Sequence, residues 1–124
     1  MGKTFGMIAC LSGAVAVIAG AFGAHLLQPL LEQNQKLDTF LTASRYHIFH
    51  SLALLALAMM YGPTVRRTLT AAGWSFITGM VLFSGSLYLI SLTGYSRLGI
   101  LAPVGGLSLI AGWLLFALAF LKDK

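Results

Sequence analysis

Acidic residues are almost missing from this chain: aspartate and glutamate together occur three times in 124 residues. Glu32 and Asp38 fall between the first two apolar runs, and Asp123 stands next to the last residue. No apolar run contains a carboxylate. That counts against a proton-coupled transporter or an intramembrane protease, both of which need ionisable groups at membrane depth. The single cysteine, Cys10, excludes a disulfide framework. Charged residues of either sign make up 9% of the chain, against about 25% in a soluble domain. The net charge of +5 comes from residues at the ends of apolar runs, among them Lys3, Arg45, Arg66, Arg67, Arg97, Lys122 and Lys124. They form no continuous basic face with stacking aromatics, so no nucleic-acid partner is expected. Membrane lipid is the expected partner instead.

What the chain has is length of apolar sequence. Hydrophobic residues make up 58% of it, and the mean hydropathy is +0.88. Four runs, at about 4–24, 43–62, 69–92 and 99–121, are each near the roughly 20 residues that cross ~30 Å of hydrocarbon as a helix. The prediction is an all-α, up-down bundle of four transmembrane helices, one domain over 1–124. Lys3 ahead of an apolar run, with Ala19-Gly20-Ala21 beyond it, imitates a signal peptide. The run is too long for that, and it is read as an uncleaved first span. The linker at 25–42 carries Pro29, Glu32 and Asp38 but also Leu26, Leu27, Leu30, Leu31 and Leu37. So apolar a linker is expected to lie at the membrane interface as a short helix or turn.

An up-down bundle puts Lys3, Arg66, Arg67, Lys122 and Lys124 on one side, and Lys36, Arg45 and Arg97 on the other. The positive-inside rule then favours cytoplasmic termini. Packing has its own signature. Gly6, Gly13 and Gly20 recur at seven-residue spacing, with Ala9, Ala16 and Gly23 three places on. Lipid supplies no hydrophobic drive between helices, so close approach through small residues must hold them. The seam is therefore expected to face another helix along its length, as are Gly105 and Gly112 in the last run. Trp113 is expected to fill the core.

The residues able to carry chemistry gather at one end. His25 closes the first run, and Arg45, Tyr46, His47 and His50 open the second. His47 and His50, three apart, share a helix face. A cluster of His25, Arg45, Tyr46 and His50 under the first linker is predicted, hydrogen-bonded first and metal-binding only second. Three histidines without a cysteine or fixed carboxylate spacing match no zinc pattern, so metal stays unknown. Ser84-Gly85-Ser86 and Pro103 to Gly106 are further places where a helix can loosen and free carbonyls for a polar ligand. No nucleophile stands beside a base. Neither enzymatic activity nor a cofactor is expected.

Four motifs in order resemble a known family: Gly20-Ala21-Phe22-Gly23-Ala24-His25; Arg45-Tyr46-His47-Ile48-Phe49-His50; Phe83-Ser84-Gly85-Ser86-Leu87-Tyr88; and Pro103-Val104-Gly105-Gly106 leading to Gly112-Trp113. They resemble the YgdD/YwdK-like family of small bacterial membrane proteins, over essentially the whole chain. The resemblance implies a four-helix integral membrane protein and no stated activity. It matches His25, Arg45, Tyr46 and His50, with His47 at a permissive position. The expected role is a structural or accessory component of the bacterial inner membrane, alone, as a homo-oligomer or in a larger complex. The rivals are a ligand-, metal- or proton-binding module at the His25/His50 end and an oligomeric conduit for small solutes.

Overall fold

The computed structural model describes residues 1–122; Lys124, counted above in the charge bias, lies outside the described residues. Every regular element among them is helical. Helix α1 spans Gly2–Leu26, α2 Gln28–Gln33, α3 Leu37–Met59, α4 Arg66–Thr93 and α5 Ser96–Lys122.

Local chemistry explains the breaks. Pro29 stands at the start of α2, where its missing N–H has no partner to lose. Helix α4 stops at Gly94, whose φ of 73° is left-handed and whose N–H closes on the Ile90 carbonyl at 2.8 Å. Helix α5 opens with a 3-10 turn over Ser96–Ile100 and then runs α-helically from Leu101, so Pro103 falls in a first turn and breaks nothing. The loosening expected there does not occur. Two helices do loosen, α4 at the expected Ser84-Gly85 and α1 at a place not expected. Ile18–Gly23 in α1 and Met80–Ser84 in α4 are π turns, closed by Ala24 N–H to Ala19 and Gly85 N–H to Met80.

Three helices, α1, α4 and α5, are long and apolar enough to cross a membrane. The run expected to make a fourth apolar crossing lies mostly in α3. That helix is long enough at 23 residues, but Ser44, Arg45, His47, His50 and Ser51 lower its hydropathy.

Consecutive long helices pack antiparallel. Along the α1–α3 contact, Gly2 faces Tyr61, Gly6 faces Ala58, Ser12 faces Ser51 and Gly20 faces Ser44. Along α4–α5, Phe76 faces Gly112, Gly79 faces Leu109 and Phe83 faces Gly105. Between α3 and α4, Tyr61 meets Thr70 and His47 meets Tyr88. Lys122 reaches Thr68, so the basic residues of both helices share one end of the bundle. The linker helix α2 is anchored by Leu31, which is buried with Ala24 and Phe40.

The distribution of side chains is that of a protein dissolved in lipid. Large residues such as Met7, Leu11, Val15 and Phe22 on α1, and Leu107, Ile110 and Leu114 on α5, point outward. Ala9, Ala16, Ala43, Gly73, Gly79, Gly105 and Gly112 lie inside. These small residues admit bulky side chains from neighbouring helices, Phe5 at Gly73, Phe76 at Gly112 and Leu109 at Gly79, and the two together fill the interior.

The glycine seam of α1 needs correcting. A Cβ added at Gly20 would come 2.5 Å from Ser44 Oγ, and one at Gly6 would touch Ala58 at 3.7 Å, but one at Gly13 would meet nothing within 4 Å. The residues along the contact are Phe5, Ala9, Ser12 and Ala16, spaced 4, 3 and 4. At about 100° per residue, Gly13 falls on the flank of that line. Gly105 and Gly112 sit in tight contacts as expected: a Cβ at either would strike α4, at the Phe83 backbone or the Phe76 ring.

Candidate functional site

Two groups of polar side chains in the interior are each built round one histidine of α3. His50 is buried, between α4 and α5. Trp113 Nε1–H, which can only donate, reaches His50 Nε2 at 3.0 Å. On the other side His50 Nδ1 lies 2.7 Å from the Tyr46 carbonyl, which can only accept. These partners fix the ring as neutral, with its proton on Nδ1. Tyr46 stacks on it at 6.0 Å, and Phe76 and Trp113 close round it at 5.8 and 5.9 Å. Trp113, expected in the core, stands at the rim: its indole N–H turns inward while 47% of the residue is exposed.

His47, three residues earlier, points toward α1 and α4. Its hydrogen bonds can be assigned one after another. Ser51 Oγ lies 2.8 Å from the His47 carbonyl and spends its only hydrogen there. Ser12 must then donate to Ser51, at 2.7 Å. With that hydrogen used, Ser12 accepts from His47 Nε2–H at 2.9 Å. His47 Nδ1 is left to accept from the Tyr88 hydroxyl at 3.0 Å. The chain Tyr88 to His47 to Ser12 to Ser51 joins α4, α3 and α1, and the Met80 sulfur lies 3.7 Å from both serine oxygens. The two histidines thus hold opposite tautomers, set entirely by their partners.

Beside this chain lies a cavity of about 400 Å³ between α1 and α4, floored by His47. Ser12, Ser84, Gly85 and Tyr88 line it, with Ile8, Val15, Ile77, Met80 and Val81 as its apolar walls. Ser84 is 2% exposed. Its hydroxyl is the one buried side-chain polar atom among the described residues with no hydrogen-bond partner.

The other expected members stand apart. His25 is exposed at the C-terminal end of α1, and among the described residues no side-chain hydrogen bond joins it to His50. Arg45 is exposed on α3. Tyr46 is at His50, as expected. Among the described residues no three His, Cys, Asp or Glu side chains come together as a metal site. Sequence reasoning ranked His47 below His25 and did not single out Ser12, Tyr88 as a partner, or the indole N–H of Trp113. Ser12 could have been found from its place in the line 5, 9, 12, 16. The His47–Tyr88 meeting needed the helix arrangement itself.

This is the architecture of a small multi-pass helical membrane protein. A family described as "Protein of unknown function (DUF423)" matches residues 19–106. The chain is 36% identical over 121 residues to the UPF0382 membrane protein YwdK of Bacillus subtilis, covering 97% of this chain and 98% of that one. It is 38% identical over 120 residues to a UPF0382 membrane protein of Staphylococcus epidermidis, with 97% of each covered. To the UPF0382 inner membrane protein YgdD of Escherichia coli it is 36% identical over 121 residues, covering 95% of this chain and 89% of that one. The chain belongs to this family, as its motifs implied. No solved structure matches it.

Proposed function

We propose that this chain is a non-enzymatic accessory protein of the bacterial inner membrane, crossing it four times with both termini in the cytoplasm. One observation carries the non-enzymatic reading: His47 and His50 each have both ring nitrogens engaged by partners from other helices or by the backbone. A histidine held in that way offers no free lone pair to a metal and no base to a substrate. It acts as a clasp between helices.

The fourth crossing is α3. Its 23 residues rise about 34 Å, enough for the hydrocarbon core. Its low hydropathy suits an inner helix, because His50 and Ser51 are buried and His47 half-buried in paired positions. Polar groups at membrane depth gain by such pairing and lose by facing lipid. Orientation rests on Lys3, Arg66, Arg67 and Lys122, which share one end of the bundle. Reporter fusions at Lys124 and near Gln35 are expected to report opposite sides, with Lys124 cytoplasmic. A periplasmic Lys124 would reverse the orientation, and two fusions on the same side would remove the fourth crossing.

The accessory role is tested by assembly. Extracted into nanodiscs with its native lipid and weighed by native mass spectrometry, the chain is expected in a stoichiometric complex, with copies of itself or with other membrane proteins. A chain that emerges only as a bare monomer would overturn the role.

A further inference from the structure

We propose that the cavity at the basic end of the bundle, between the start of α1 and the first turns of α4, holds the phosphate of an anionic phospholipid. The reading needs a membrane round the bundle but not the accessory role.

The cavity has a volume of about 550 Å³ and is lined by Met1, Tyr61, Arg66, Arg67, Thr70 and Ala71. Its polar residues do not contribute equally. Thr70 donates to the Arg66 carbonyl at 2.8 Å and spends its only hydrogen there. The Tyr61 hydroxyl, 2.5 Å from Thr70 Oγ1, must then donate to it and has no hydrogen left for a ligand. The two guanidiniums remain as donors, and both arginines are exposed. Among the described residues, the side-chain hydrogen bonds at this end join Tyr61 to Thr70, Thr70 to the Arg66 carbonyl and Lys122 to Thr68, and none uses a guanidinium. No acidic residue stands in the first turn of α4. Glu32 and Asp38, the two acids among the described residues, belong to the linker at the other end. Two adjacent forks of N–H donors with fixed charge complement an anion with several oxygens, and a phosphate can accept from both. A zwitterionic head would bring an ammonium that the guanidiniums repel, so the lipid should carry net negative charge.

What lies beyond the cavity favours a lipid over a free phosphate. On α1, Met1, Ile8, Ser12 and Val15 are spaced 7, 4 and 3; on α4, Thr70, Ile77 and Val81 are spaced 7 and 4. Each helix therefore turns one continuous face from the basic cavity to the cavity floored by His47. Trp74, 48% exposed and edge-on to Phe5 at 5.8 Å, stands between the two, as a tryptophan at the membrane interface does. From Arg67 to Ile77 the helix rises about 15 Å, and one leaflet of hydrocarbon is also about 15 Å deep. An acyl chain whose phosphate sits on Arg66 and Arg67 thus ends against Ile8, Ile77 and Val81. It needs only apolar contact there and no hydrogen bond.

The test uses the full chain in mild detergent, stripped of lipid and offered equal phosphatidylglycerol and phosphatidylcholine with the same acyl chains. Bound lipid is read by native mass spectrometry. Phosphatidylglycerol is expected to be retained about thirtyfold better, as two basic residues at the surface allow. Arg66→Gln with Arg67→Gln is expected to bring the two lipids near parity, with melting unchanged because both side chains are exposed. Either change alone should lower the preference about fivefold, and Arg97→Gln, at the other end, should leave it intact. Parity in the parent, or a preference that survives in the folded variants, would overturn the site. Glycerol phosphate is expected to displace little of the lipid; full displacement at millimolar concentration would assign the cavity to a soluble phosphate and overturn the lipid. Phosphatidylglycerol with a diazirine at its chain end is expected to label α1 and α4 near Ile8, Ile77 and Val81. Label spread evenly over the outward faces of all the long helices would overturn the placing of the chain.

Discussion

Gly105→Leu is expected to prevent the bundle from forming, whereas the same change at Gly13 is expected to leave it folded. Helices α4 and α5 meet backbone to backbone at Gly105. A Cβ there would fall within 2.8 Å of both Leu82 C and Phe83 Cα. Backbone atoms cannot rotate away as a flexible side chain does, so the helices must separate. Separation forfeits the dispersion contacts that hold helices together where lipid offers no hydrophobic drive. Overpacking a well-filled interior costs about 1–3 kcal/mol even where side chains can adjust. At Gly105 the cost should exceed that range, and the variant should fail to give a melting transition in mild detergent. Gly13 has open space within 4 Å, so Gly13→Leu should melt close to the parent. Equal losses from the two variants would mean that helix propensity, and not backbone proximity, decides the outcome.

His47→Leu is expected to cost about 2–4 kcal/mol, and most of that cost should disappear when Tyr88→Phe and Ser12→Ala are added. The imidazole both accepts from Tyr88 and donates to Ser12. Leucine nearly replaces its volume but leaves two half-buried hydroxyls short of a partner, each worth about 1–3 kcal/mol. Interhelical hydrogen bonds within membranes average nearer 0.6 kcal/mol in total worth, so removing all partners together should cost far less than removing the hub. A double-mutant cycle over His47 and Tyr88, read from denaturation in detergent, measures the coupling. Additive effects would show that the two side chains are neighbours without being a clasp.

Much of the fold was legible because lipid imposes a simple rule. Apolar length announces a helix, and Pro29 marks a break by backbone chemistry that holds in any solvent. The interior glycines Gly105 and Gly112 were legible for the same reason, since small residues are what membrane helices put in contact. The seam through Gly13 misled because a seven-residue repeat does not say which side of the line faces the neighbour, and Ser12 occupies that place. The site was less legible. His50 and Tyr46 share one helix and fell in the predicted cluster, but the spacing argued there, His47 with His50, joins residues that the structure divides between two groups. His47 with Tyr88, and His50 with Trp113, meet across 41 and 63 residues of chain. Such contacts depend on how helices are rotated against each other, which composition does not encode. Proximity along the membrane normal suggested His25 as a partner, yet residues at the same depth can face different ways round a bundle.

The π turn at Met80–Ser84 has a consequence for how this chain can change by insertion or loss. A turn of that kind holds one residue more than an α-helical turn in the same place. Deleting that residue would leave an ordinary α-helical turn with everything beyond it in place, whereas deleting one from the regular turn that follows, Gly85 to Tyr88, would swing everything beyond by about 100°. Tyr88 would leave His47, and Ile90 and Ser91 would leave the interior with it, while Phe76 and Gly79 kept their places against α5. The first half of the helix is thus indexed to one neighbour and the second half to another, and the π turn absorbs one extra residue so that the two indices stay in step.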